Sequence, residues 1–151
     1  MNAVKSHELP SLVGHQSEPS EWFEVTQEQV NQFADTTLDH QFIHVDPVKA
    51  AETPFGGTIA HGMLTLSLIA HFAESFSVKV DGMKMGLNYG FNKIRFLNPV
   101  KMGARIRAQA SITEVDEKAP GQHLLTYSVT VEIEGENTPA MIAEWLCLVI
   151  A

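Results

Sequence analysis

The stretch that decides the fold is residues 54–76, PFGGTIAHGMLTLSLIAHFAESF, in which a glycine pair leads into a long apolar run. Beyond Gly62 this run contains neither Gly nor Pro, and most of its positions are Ala, Leu, Ile, Met or Phe. At a rise of about 1.5 Å per residue, a helix of about 18 residues is about 27 Å long, the span of a small domain. Because the run is apolar on nearly every side, we expect other elements to enclose it.

A membrane span is the alternative for an apolar run of this length, and polar residues within the run argue against it. The run is interrupted by His61, Thr65, Ser67, His71 and Glu74. A span through the hydrocarbon core needs about 20 consecutive, predominantly apolar residues. We therefore predict the central helix of a globular domain and no membrane partner.

Residues after Met83 have the pattern of β-strands. Val, Ile, Leu, Thr, Tyr and Phe dominate four runs, at residues 84–97, 104–115, 123–133 and 140–150, with turn-forming residues between them. Four strands in succession without intervening helices indicate an antiparallel meander. The predicted fold class is α+β, with a curved antiparallel sheet wrapped round the long helix.

The N-terminal part of the chain is predicted to contain a tail and the start of the domain. Residues 1–19 are polar and show no helical or strand period, so we expect a tail there and a single domain over residues 20–151. Residues 22–25 are a short strand candidate. Thr26 is the predicted N-cap of a helix over residues 27–36.

Charge and cysteine content restrict the partners and the compartment. The net charge of −8 disfavours nucleic acid as a partner. The N-terminus has no apolar core long enough for an export signal, and Cys147 is the single cysteine, so a reducing cytoplasm is expected. The ordinary interpretation of Cys147 is a small buried apolar residue in a strand.

The basic residues are unevenly placed along the chain. Six of the ten lie between Gly82 and Thr113, where there is no Asp or Glu: Lys84, Lys93, Arg95, Lys101, Arg105 and Arg107. They are interpreted either as solvated strand faces or as a basic rim that holds a polyanionic group such as a nucleotide phosphate.

Asp39 and His44 are the best candidates for catalysis, in the irregular segment 37–46, TLDHQFIHVD. A carboxylate within hydrogen-bond reach of an imidazole orients the ring and raises its basicity, so such a pair can deprotonate a water molecule. A straight helix would place the two side chains on different faces, whereas a bend can direct both into one cavity. The alternative is that Asp39 caps a turn and His44 is a hydrogen-bonded core histidine.

His61 and Gly62, at the start of the predicted helix, form the second candidate element. The first N–H groups of a helix have no partner within it and carry the positive end of its dipole. A glycine there allows a substrate carbonyl to approach the backbone and form an oxyanion site. The alternative is that Gly62 serves close packing of helix against sheet. Ser67 and His71 lie one turn apart on the same helix, and His71 is expected in the core.

A metal site is not predicted. His40, His44, His61 and a nearby Asp are ligand types that zinc accepts, but their spacing matches no HExxH pattern and there is no cysteine pair. The sequence also contains no glycine-rich phosphate loop and no GxSxG elbow.

Two stretches carry a family resemblance: residues 39–68, DHQFIHVDPVKAAETPFGGTIAHGMLTLSL, and residues 88–108, NYGFNKIRFLNPVKMGARIRA. The chain resembles the MaoC-like family of (R)-specific enoyl-CoA hydratases, and within it the nodulation protein N-like group, over about residues 20–150. The resemblance implies the hot-dog fold, in which a curved antiparallel sheet wraps a long helix, and it implies a homodimer.

The resemblance also implies roles for individual residues. The family's catalytic Asp and His match Asp39 and His44, and the glycine whose N–H faces the thioester carbonyl matches Gly62. A supporting serine matches Ser67, and His61 adjoins this substrate-binding set.

One departure from the family pattern lies between the two predicted catalytic residues. Many members read D-x-N-P-x-H, whereas Gln41 and Phe42 stand at the Asn and Pro positions here. This exchange puts in question how the loop supports His44.

The reaction implied by the resemblance is the reversible syn addition of water to a trans-2-enoyl-CoA, giving a (3R)-hydroxyacyl-CoA. This is a hydro-lyase reaction of fatty acid metabolism, with no cofactor besides the CoA of the substrate. Lys84, Lys93 and Arg95 would then suit the CoA phosphates.

Two other functions remain open on the same fold. An acyl-CoA thioesterase of this shape usually carries a carboxylate on the central helix, and here Glu74 lies near the helix end. A non-catalytic acyl-CoA-binding module has no need of the set formed by Asp39, His44 and Gly62.

Overall fold

The computed structural model describes residues 3–151, and within them five strands form one antiparallel sheet. The strands are β1 (Phe23–Glu24), β2 (Met85–Phe96), β3 (Arg105–Ala119), β4 (Gln122–Ile133) and β5 (Met141–Ile150). All pair antiparallel, so the short strand and the four long strands predicted from the sequence are confirmed.

The order of the strands corrects the predicted meander. In space they run β1-β3-β4-β5-β2, so β3, β4 and β5 form a meander but β2 pairs with β5 instead of β3. Residues 97–104 therefore cross three strand spacings, about 14 Å, from one side of the sheet to the other. Local alternation could not reveal this crossing, because the pattern of a strand fits either neighbour.

The helices are α1 (Gln27–Thr37), α2 (Phe42–Val45), α3 (Pro47–Ala51), α4 (Gly62–Ser67) and α5 (Ile69–Phe76). Thr26 caps α1 as predicted, since its hydroxyl accepts a hydrogen bond of 3.3 Å from the Gln29 N–H. Among the described residues no helix has the length and apolar character needed to cross a membrane.

The central helix is shorter than predicted and is not enclosed within one chain. It consists of α4, with six residues, and α5, with eight, separated at Leu68. The face toward the sheet is buried and includes Leu64, Ile69, Phe72 and Phe76. The opposite face is exposed because the sheet covers one side only: Met63, Ser67, Ala70, His71 and Glu74.

The inner face of β3 supplies the floor on which α5 packs. Alternate residues of this strand are buried: Ile106, Ala108, Ala110 and Ile112. Alternation with period two places these side chains on one face of the sheet, and the two alanines leave room for the helix to approach.

The N-terminal stretch predicted as a tail is packed on the domain, apart from residues 1–2, which lie outside the described residues. Ser6–Leu12 forms a 3₁₀-helix, and its Leu9 is fully buried in the core. The N–H groups of Gly14 and Ser17 each donate a 2.8 Å hydrogen bond to a carbonyl of β3. Pattern analysis missed this packing because one leucine and a few backbone bonds leave no period in the sequence.

Candidate active site

A tight reversal between α1 and α2 brings Asp39 and His44 together. Leu38, just after α1, has a φ of 63°, in the left-handed region that residues other than Gly seldom adopt. Asp39 follows in an exposed turn, where its carboxylate accepts a 3.3 Å hydrogen bond from the Gln41 N–H. The short helix α2 then carries His44 inward, where 7% of the residue remains exposed. The bend expected from the sequence is present.

The ring of His44 is fixed by one backbone contact. Its Nδ1 lies 2.7 Å from the carbonyl oxygen of Ile59. A carbonyl can only accept, so Nδ1 carries the hydrogen and donates it. In the neutral ring, Nε2 is therefore the basic nitrogen that remains available for chemistry.

Burial lowers the pKa of His44 below its ordinary value of 6.5, because the surroundings disfavour the charged ring. The hydrogen bond to Ile59 partly offsets this shift, His61 adds to it and the Asp39 carboxylate opposes it. At neutral pH the imidazole is therefore uncharged and able to take a proton.

His61 completes a compact cluster with Asp39 and His44. The side-chain ligand atoms of these three residues lie within 4.8 Å of one another. The His61 ring stacks on the His44 ring with centroids 3.9 Å apart and planes 26° apart, and its Nε2 lies 2.9 Å from the Asp39 carbonyl oxygen. His61 is 2% exposed and stands behind His44.

The same cluster is a poor geometry for tetrahedral zinc. One nitrogen of each ring donates to a carbonyl, of Ile59 and of Asp39, and this leaves the other nitrogen with a lone pair, as in metal-bound histidines. In stacked rings the remaining lone pairs lie in nearly parallel planes, whereas ligands of one ion must converge on it at about 2.0–2.1 Å. Among the described contacts there is no hydrogen bond between the Asp39 carboxylate and His44, so their action as an acid–base pair stays a prediction.

A cavity of about 330 Å³ opens beside His44. Its walls are mostly apolar and come from the start of α4, the segment before it and the end of β2. The lining residues are His44, Phe55, Ile59, Ala60, Gly62, Thr65, Phe96, Leu97, Asn98, Pro99, Val100 and Ala140. Such a pocket, with one basic nitrogen among apolar walls, suits an acyl group whose reacting carbons need a proton-transfer partner.

Gly62 combines an unbonded backbone N–H with close packing against Phe96. It is the first residue of α4, and within the described chain its N–H donates no hydrogen bond. A Cβ added at this position would lie 3.1 Å from three ring atoms of Phe96. The close-packing interpretation is therefore supported, and the free N–H on the cavity wall leaves the oxyanion role as a prediction.

Ser67 and His71 lie away from this cavity. The Ser67 hydroxyl donates a 2.7 Å hydrogen bond to the Met63 carbonyl, and the residue lines a separate cavity with Phe91 and Trp145. His71 was expected in the core but is exposed, packing against the ring of Phe23 at 5.3 Å, because it lies on the uncovered face of the helix.

The basic residues predicted as a phosphate rim are all exposed on or beside β2. Lys84 precedes the strand at the end far from Phe96, which lines the cavity, and Lys93 and Arg95 lie near the cavity end. Lys93 stands opposite Glu144 in the strand register. None of the three lines the cavity, so the phosphate rim stays a prediction.

Other basic residues of the same stretch have structural contacts. Arg107 is paired with Glu132 at 2.7 Å and stacks over the ring of Trp22, and Arg105 is paired with Glu134. These contacts within the sheet favour a structural role for the two residues over a phosphate rim. Cys147 is half-buried in β5, and burial raises the pKa of its thiol, which suits a packing role.

The sequence did not predict the two residues that stabilise the backbone of His44. The side-chain amide of Gln27 donates a 2.7 Å hydrogen bond to the His44 carbonyl, and the buried Thr58 hydroxyl donates to the Gln27 side chain. Gln27 and Thr58 are 31 positions apart. No local motif links them, so only the folded chain shows the connection.

Comparisons with known proteins identify the family of this chain. A family model described as the MaoC like domain matches residues 8–135. The chain belongs to the MaoC-like dehydratase family. Nodulation protein N of Rhizobium leguminosarum bv. viciae is 46% identical over 150 residues, which cover 99% of this chain and 93% of that protein.

A second relative and a solved structure extend the comparison. The 3-hydroxyacyl-thioester dehydratase Z of Mycobacterium tuberculosis is 46% identical over 144 residues, covering 95% of each chain. A structure described as an (R)-hydratase from A. caviae involved in PHA biosynthesis superposes with a TM-score of 0.72, at 24% identity, over 87% of this chain and 93% of that one. The predicted α+β hot-dog fold is confirmed.

Proposed function

We propose that this protein is an (R)-specific enoyl-CoA hydratase, which adds water reversibly to a trans-2-enoyl-CoA and forms a (3R)-hydroxyacyl-CoA. The observation that carries the proposal is the position of His44, held by Ile59 and adjacent to Asp39, on the wall of an apolar cavity that Gly62 also lines. The relative described as a 3-hydroxyacyl-thioester dehydratase supports it, since dehydration is the reverse reaction.

The proposed chemistry needs one acid–base pair and one oxyanion donor. The Gly62 N–H donates to the thioester oxygen and stabilises the negative charge that develops there. Asp39 and His44 hold the water; its oxygen bonds to Cβ as one of its protons passes to the pair. The pair then returns a proton to Cα on the same face, which gives syn addition and leaves the enzyme unchanged.

The CoA moiety is assigned to the exposed end of the site. Lys93 and Arg95 lie on β2 close to Phe96, which lines the cavity. Their positive charges suit the phosphates of CoA, and Arg in particular forms paired hydrogen bonds with phosphate oxygens. Lys84, at the other end of the strand, serves this role only if a second chain brings it to the site.

A homodimer is part of the proposal. The outer edge strand β2 exposes a series of large apolar side chains: Met85, Leu87, Tyr89, Phe91 and Phe96. The uncovered face of α4 and α5 exposes Met63 as well. An edge strand with this composition is a favourable surface for a second copy, which would enclose the central helix as the sequence suggests.

The test is to follow the enoyl thioester absorbance of crotonyl-CoA and of a longer trans-2-enoyl-CoA, with free thiol measured in parallel. Loss of the enoyl signal without thiol release is the expected result. Thiol release would identify a thioesterase instead. Tight acyl-CoA binding with neither signal would identify a binding module.

A further inference from the structure

We propose that His61 is a positioning residue that holds Asp39 and His44 in one geometry; this inference rests on the proposed hydration reaction. His61 is 2% exposed and occupies the N-cap position of α4. It stands behind the cavity wall rather than on it. Because its side chain does not line the cavity, His61 can act on the reaction only through its neighbours, of which Asp39 and His44 are the two proposed to react.

The contact with Asp39 ties the backbone of its turn to the N-terminus of α4, in addition to the 2.8 Å bond between His40 and Asp35 that ties the turn to α1. The Asp39 carbonyl lies 2.9 Å from His61 Nε2, and because a carbonyl only accepts, Nε2 carries the hydrogen and donates it. Asp39 itself is exposed, and its carboxylate has a hydrogen bond of only 3.3 Å, to the Gln41 N–H. The residue before it, Leu38, has a left-handed backbone conformation. The bond from His61 thus anchors the turn to α4.

The contact with His44 restricts the plane of the imidazole. The two rings stack at 3.9 Å with an angle of 26°. The ring of Phe33, from α1, lies 5.0 Å from His61 and holds that ring in turn. Ile59 fixes one edge of His44 through Nδ1, and His61 fixes its face. Together they determine the direction of Nε2.

The chemistry of a buried imidazole at position 61 is itself informative. Within the described residues, Nδ1 of His61 is buried and has no hydrogen-bond partner. Burying a polar atom without a partner is unfavourable, and an apolar ring of similar shape would avoid that cost. Simple packing therefore does not explain a histidine here, whereas the Nε2–H donated to Asp39 does.

Two variants divide the role of His61 into its parts. His61→Phe keeps a flat ring against His44 but removes the donor to Asp39. His61→Gln keeps an amide N–H that can reach the Asp39 carbonyl but removes the stack. We expect each to lower kcat for crotonyl-CoA hydration about 10–100-fold with little change in KM, because small displacements of reacting groups have effects of this size. His123→Gln, at another buried histidine, is the matched control and should keep the wild-type kcat.

A double-mutant cycle distinguishes positioning from general loss of structure. If His61→Phe acts through Asp39, it should cause little further loss in an Asp39→Asn background, whereas independent effects multiply. Circular dichroism establishes that each variant is folded. Three results would overturn the inference. They are wild-type kcat in both His61 variants, an increase in KM with no change in kcat, and a decrease in kcat by the same factor when His61→Phe is made in the wild-type and in the Asp39→Asn protein. An inactive wild-type protein would instead overturn the proposed function.

Discussion

At the scale of single residues, the proposed reaction depends on where the protons of the His44 imidazole lie. The Ile59 carbonyl holds the hydrogen on Nδ1 of His44, so the lone pair is on Nε2, and burial keeps the ring uncharged. The neighbouring Asp39 carboxylate favours the protonated ring when the reaction forms it. Burial thus favours the neutral ring that accepts the proton, the Ile59 contact determines which nitrogen accepts it, and Asp39 favours the protonated ring that results.

Substitution of either member of the pair should remove most of the activity. We expect Asp39→Asn and His44→Ala each to lower kcat/KM for hydration by about 10²–10⁴-fold, the usual contribution of general acid–base catalysis. Asp35→Asn and His40→Ala are matched controls, since these residues form an exposed pair with each other at 2.8 Å. Turnover close to that of the wild type in both site variants would show that the pair is misassigned.

The pH dependence follows from the lowered pKa of His44. Because the ring must be uncharged to accept a proton, the acidic limb of the kcat/KM profile should lie below pH 6.5, the ordinary value. The unfolded chain binds this proton more readily than the folded chain. The stability contribution is therefore complete above about pH 6.5 and decreases as the pH falls toward the lowered pKa.

Two profiles test this prediction. The kcat/KM profile should give an acidic limb below 6.5, and urea unfolding should give a free energy of unfolding that begins to decrease below that pH. In His44→Gln, the free energy of unfolding should decrease less below pH 6.5 than it does in the wild type. An acidic limb above pH 6.5 would contradict the burial argument.

At the scale of elements, the site is built where the loop before α2 meets the first turn of α4 and the end of β2. The cap at Thr26 follows from local chemistry, and the sequence predicted both this capped helix and the irregular segment after it. The left-handed conformation of Leu38 does not follow from local chemistry, because a leucine seldom adopts it. The contact of Gly62 with Phe96 joins positions 34 apart, and no period in the sequence reports it.

The contact between Gly62 and Phe96 predicts the effect of adding one methyl group. In Gly62→Ala the new Cβ would lie 3.1 Å from the Phe96 ring, which is half exposed and able to move. We expect the free energy of unfolding to change by no more than about 1 kcal/mol, because the helix propensity of Ala offsets the crowding. The displaced ring should narrow the cavity, so KM for crotonyl-CoA should rise.

Phe96→Leu provides the control for this argument. Combined with Gly62→Ala, the smaller side chain should restore part of the lost affinity. Unchanged KM in Gly62→Ala would show that Phe96 does not control the entry to the site.

At the scale of the whole molecule, the sequence predicted the layers but not their connections. The four long strands and the apolar helix were evident because period two and a continuous apolar run are local signals. Three features were not evident from the sequence, because each depends on partners distant in the chain: the crossing from β2 to β3, the packing of Leu9 and the uncovered helix face. Likewise, Asp39 and His44 were predicted, whereas the support from Gln27 and Thr58 was not.

The exposed apolar strand predicts that assembly and activity are linked. We expect Leu87→Asp, near the start of β2, to convert a dimer into monomers and to lower hydration, because it places a charge on the proposed interface. Val13→Asp is the matched control, since Val13 is exposed to a similar extent, 49% against 44%, but lies in the N-terminal segment. Sedimentation analysis would measure the oligomeric state of both variants. A dimer that persists in Leu87→Asp would contradict this interface.

The central claim is tested most directly by the configuration of the product. The wild-type protein is incubated with crotonyl-CoA, and the hydroxyacyl-CoA that forms is oxidised with dehydrogenases specific for either enantiomer. The account predicts (3R)-hydroxybutyryl-CoA without release of free CoA thiol. Formation of the (3S) product, or thiol release in place of hydration, would contradict it.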